Sequence, residues 1–173
     1  MGDKSLRNGK NYRINKIGFL FGLISLAIFI GVRLFGNDPY EMIHKFDSSG
    51  VIPPLWLLNL LSFVWGFLIG YGAGLVFDCI LCGGESITSE ISAYRGGLFF
   101  LVSFFLSQMW YSVFFDGEHL VLAILLIVIA LVSSIVCAFF WSSVLKLSSL
   151  ILGAYGLWQF YLFILNASVI LYI

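Results

Sequence analysis

The sequence predicts an all-α integral membrane protein, a bundle of five transmembrane helices with its N-terminus inside and its C-terminus outside. Three observations carry that expectation. Of 173 residues, 61% are hydrophobic and 10% charged, more apolar than a soluble domain of this size can bury. The charges cluster, leaving five nearly charge-free stretches close to the ~20 residues that cross a bilayer core at about 1.5 Å per residue. Finally, Lys and Arg fall in alternate connections, as the positive-inside rule requires.

Residues 1–16 form a basic tail holding Lys4, Arg7, Lys10, Arg13 and Lys16. A single domain, 17–173, follows, with spans expected over 17–36, 53–77, 97–115, 120–145 and 147–173. The first span is longer than a secretory h-region and no A-x-A-like site follows it, so it is expected to remain in the protein. It ends at Arg33, whose long stem is expected to lift its charge to the interface.

Residues 37–52, NDPYEMIHKFDSSGVI, lie outside and lead into the second span. There Pro53 and Pro54 fall where a helix tolerates proline, in the first turn, with Trp56 just beyond. Gly66, Gly70 and Gly74 recur every four residues and make a smooth stripe, with a shorter version at Gly18 and Gly22. Small residues allow close helix approach in lipid, so the stripe is expected to pack within the bundle, a homodimer face being the alternative.

The connection 78–96 holds Arg95 and a C-x-x-C of Cys79 and Cys82. A closed zinc site wants four ligands, and His44 and His119 fall on the opposite side. Reduced thiols are therefore expected, with Cys137 a packing residue. The next two links, 116–119 and the one at Lys146, are short, so spans three, four and five must lie side by side.

The spans contain no carboxylate or histidine near mid-membrane, which counts against an ion-coupled transporter. Net charge is zero, so no nucleic-acid partner is expected. Ser107, Gln108, Gln159 and Asn166 are expected to bond between helices. Trp56, Trp65 and Trp141 read as interface anchors. Trp110, three residues after Ser107, and Tyr155, Trp158 and Asn166 on the fifth span share broad faces with polar groups. They fit either an apolar ligand pocket or ordinary packing. Without a nucleophile–base pair, a metal cluster or a phosphate loop, binding is expected over catalysis, and no cofactor is demanded.

The chain resembles the TspO/MBR family, the tryptophan-rich sensory and mitochondrial translocator proteins, which are five-helix membrane proteins. Three stretches carry the resemblance over roughly 17–173. PPLW (Pro53 to Trp56) resembles the family's P-P-x-W, and SQMWYSVFF (Ser107 to Phe115) resembles N-x-x-W-S-x-x-F-F. AYGLWQFYLFILN (Ala154 to Asn166) resembles P-Y-x-x-W with L-N eight residues on. Leu60 and Ser62 stand where the family has its next proline and tryptophan, Ser107 where it has asparagine, and Ala154 where it has proline. The resemblance implies a receptor, sensor or translocator of flat apolar ligands, porphyrins and other tetrapyrroles or sterols. It implies a lid at 37–52, with Pro53, Pro54, Trp56, Trp110, Tyr155, Trp158 and Asn166 at the ligand. Light-dependent porphyrin degradation through Trp56 and Trp158 is one alternative. A structural protein assembling through the glycine stripe is another. The expected partners are the bilayer, such a ligand and, on the second alternative, another copy of the chain; the cell membrane is the expected location.

Overall fold

A computed structural model describes residues 15–35, 53–81, 87–116 and 119–172. Its five helices are α1 (Lys16–Phe35), α2 (Leu55–Leu81), α3 (Ile87–Asp116), α4 (Leu120–Ser142) and α5 (Lys146–Tyr172). All five are long and apolar enough to cross a membrane.

Local chemistry sets the helix ends. Asn15 caps α1: its carbonyl accepts from the Phe19 N–H at 2.9 Å and its Oδ1 from the Gly18 N–H at 2.9 Å. The same side chain donates through Nδ2 to Asp78 Oδ2 at 2.7 Å, tying the start of α1 to the far end of α2. The Pro54 carbonyl accepts from the N–H groups of Leu57 and Leu58 at 2.9 and 3.3 Å. Both prolines therefore precede α2, at its cap, where a missing N–H costs nothing. At the α4–α5 corner the Trp141 carbonyl accepts from Val144 and Leu145 at 3.0 and 2.8 Å, and α5 restarts one residue later.

The connection expected over 78–96 is largely helical. α2 runs on to Leu81 and α3 begins at Ile87, because hydrophobicity locates the membrane-crossing stretch but not the end of the helix that contains it. At 30 residues, α3 spans about 45 Å against a hydrocarbon core of roughly 30 Å, so Glu90 and Arg95 ride on helix beyond the lipid. Cys79 is thus a half-buried residue in the last turn of α2 and not in a loop, and Cys137 is buried in α4. Cys82, His44 and the 37–52 segment lie outside the described residues.

α1 packs along α2, α3 along α4, and α4 along α5, while α5 closes back onto α2. Spans three, four and five are neighbours, as their short links require. The ring order is therefore α1, α2, α5, α4, α3, with α3 meeting α1 and α2 only sparsely. The glycine stripe faces α1. A Cβ at Gly70 would fall 2.5 Å from the Ser25 Cβ and 2.6 Å from the Phe21 carbonyl oxygen; one at Gly74 would lie 2.7 Å from the Gly18 Cα. The stripe is occupied within the chain, so a second copy cannot also use it.

Trp141 was expected at the interface but is 2% exposed. It stacks on Phe100 at 5.5 Å and donates from Nε1 to the Ala93 carbonyl at 3.2 Å. Gly96 makes the room, since any Cβ there would collide with the indole. Outward positions such as Leu98, Val121, Phe139 and Leu157 are apolar and exposed, the surface a bilayer covers.

Candidate ligand site

α5 supplies the inner wall. Leu152, Tyr155, Gln159, Leu162, Asn166 and Val169 follow one another at alternating steps of three and four, and all are buried. Two apolar clusters meet along this row. One gathers Trp110, Tyr111, Phe114 and Phe115 of α3 with Leu162, Leu165 and Val169. The other gathers Phe29, Phe104, Trp141, Leu152 and Tyr155. Trp158 packs against both and stacks on Tyr161 at 5.3 Å.

The buried polar groups divide into two kinds. Gln159 is fully paired: Nε2 donates to Ser107 Oγ at 2.8 Å and Ser103 Oγ at 3.0 Å, and Oε1 accepts from Ser134 Oγ at 2.7 Å. Ser107 Oγ in turn donates to the Ser103 carbonyl at 2.8 Å, and the Tyr155 hydroxyl lies beside Ser107 and Gln159. One amide thereby stitches α3, α4 and α5, which satisfies the expectation for Ser107 and Gln159.

Asn166 and Gln108 are the opposite case. Both atoms of each amide are buried with no hydrogen-bond partner among the described residues, and Trp110 Nε1 shares that condition. Trp110 itself is stacked on Phe114 at 4.9 Å. Unpaired polar atoms in an apolar interior each cost of order 1–3 kcal/mol, and native interiors seldom keep them without a purpose.

Of the seven predicted ligand residues, Trp110, Tyr155, Trp158 and Asn166 line this interior. Pro53, Pro54 and Trp56 are not brought to it. Trp56 is 66% exposed, and none of the three joins either buried cluster. The helix register explains this: the inward face of α2 runs through Leu58, Ser62, Gly66 and Ile69, and Trp56 falls on the other side. The aromatic that α2 does present is Trp65, 5.8 Å from the Tyr155 ring. It lies three residues beyond Ser62, nearly a turn from where the resemblance places a tryptophan, and that offset was the available signal.

Arg33 is the other residue the sequence did not disclose. Its guanidinium does not reach outward; its Cζ sits 3.1 Å above the Tyr111 ring centroid. Tyr111 in turn points its hydroxyl toward Asn59 Oδ1 of α2, a long 3.5 Å. A cation over a ring face is attractive in an apolar setting, and α3 so acquires a link to both α1 and α2.

Comparison with curated proteins and with solved structures gave no match. The sequence profile of the TspO/MBR family matches residues 19–172, nearly the whole chain. With five membrane-spanning helices and the match running from within α1 to the end of α5, the chain belongs to the TspO/MBR family.

Proposed function

We propose that this multi-pass membrane protein is a receptor or translocator of flat apolar ligands, with tetrapyrroles as the leading class and sterols next. The observation that carries the reading is Asn166, wholly buried on the inner row of α5 with neither end of its amide paired among the described residues. An apolar interior with aromatic rings and a few unspent hydrogen-bonding groups suits a macrocycle that stacks broadly and bonds sparingly. Trp65, Trp110, Tyr155 and Trp158 supply the rings.

Titrating protoporphyrin IX into the detergent-solubilised protein should quench its tryptophan fluorescence. Trp110→Phe and Trp158→Phe should weaken binding several-fold, and Trp56→Phe should leave it unchanged. Affinity that survives both inner substitutions would remove this interior as the site. The photochemical alternative pairs Trp56 with Trp158, and the exposed position of Trp56 lends it no support. For orientation, Lys16, Arg95 and Lys146 share one end of the bundle, which favours that end, with the N-terminus, on the inner side of the cell membrane.

A further inference from the structure

Lys16, Arg95 and Lys146 are exposed, whereas Arg33 alone among the described Lys and Arg residues turns into the bundle. Its Nε and Nη1 are closed off from solvent, and no described residue accepts a hydrogen bond from either. The Tyr111 ring face offsets part of the charge but offers no oxygen to these donors. A guanidinium so placed is costly until an anion arrives. Gln108 adds a second open group. It lies four residues after Phe104, whose ring meets Phe29 of α1 at 5.8 Å, and three before Tyr111, so it shares their α1-directed face. Both ends of its amide are unpaired among the described residues.

We propose that Arg33 binds the carboxylate of an amphipathic ligand, with Gln108 as the neighbouring hydrogen-bonding group and the aromatic side chains of the interior against the apolar body. The inference rests on the apolar-ligand reading above and narrows it to acids. A planar guanidinium presents paired N–H groups that match the two oxygens of a carboxylate, an ester cannot carry the matching charge, and the low-dielectric setting magnifies the difference.

The test compares protoporphyrin IX, a dicarboxylic acid, with its dimethyl ester in neutral detergent. The wild-type chain should bind the acid at least about tenfold tighter. Arg33→Gln should bring the acid down to the affinity of the ester and leave ester binding intact, which also shows that the variant is folded. Arg33→Lys should keep part of the preference. Equal wild-type affinity for the two, or parallel loss of both in Arg33→Gln, overturns the proposal. So does a preference that emerges only when Asp38, Glu41 and Asp47 are neutralised together, because an acid of the chain itself would then occupy Arg33. A wild-type chain that binds neither porphyrin fails the tetrapyrrole reading. Arg33 is then judged on oleic acid against methyl oleate by thermal shift, and equal shifts overturn the proposal too.

Discussion

Gln159 and Asn166 are both buried amides of α5, two turns apart, and substitution by leucine should move them in opposite directions. Gln159→Leu removes three hydrogen bonds that join α3, α4 and α5. Interhelical bonds in membrane proteins are individually modest, so the loss should be about 1–2 kcal/mol, read as a lower midpoint in a denaturing-detergent titration. Asn166→Leu removes an amide with no described partner. The ligand-free protein should then gain about 1 kcal/mol in the same titration while porphyrin binding weakens. A loss of stability in Asn166→Leu would mean that the amide is already satisfied. The sequence marked both residues as polar groups in a span. It could not separate them, because the difference lies in whether Ser103 and Ser134, far away in the chain, stand opposite.

Helices meet here through positions that have no side chain. Gly70 lies so close to Ser25 and the Phe21 carbonyl that Gly70→Leu must lever α1 away from α2, and the variant should fail to yield folded monomer on size exclusion. Gly96→Ala drives a methyl into the Trp141 indole and should cost roughly 1–3 kcal/mol. The adjacent Gly97→Ala meets nothing within 4 Å and should be neutral or slightly stabilising, since alanine is the better helix former. The glycine stripe was plain in the sequence because period four on a helix is a face. The fate of Trp141 was not, since a tryptophan near the end of a span satisfies an interface as readily as a core until its glycine partner on α3 is known. Helix ends were likewise hidden at α3, where polar residues extend the helix past the lipid.

The number of helices, and the adjacency of α3, α4 and α5, followed from length, charge and the two short links, whereas the closure of α5 onto α2 did not. The interior chemistry was half visible: the α5 row could be read from its spacing, but Trp65 and Arg33 owe their roles to register and to the sparse meeting of α3 with α1. The ring of helices is correspondingly uneven. Hydrogen bonds stitch α3, α4 and α5 together, and Ser148 ties α5 to the Gly72 carbonyl of α2 at 2.8 Å. Between α1 and α3 the described links are a ring pair and a cation above a tyrosine. The ring pair, Phe29 with Phe104, sits well inside both helices, where acyl chains and not water would border the bundle. An oily guest dissolved among the acyl chains would thus enter sideways, and its lipid mole fraction would govern occupancy. A porphyrin tethered to a phospholipid acyl chain, which cannot leave the bilayer, should therefore still reach the site and quench the inner tryptophans. Failure of the tethered porphyrin to bind, beside normal binding of the free one, would place the entrance at the aqueous end.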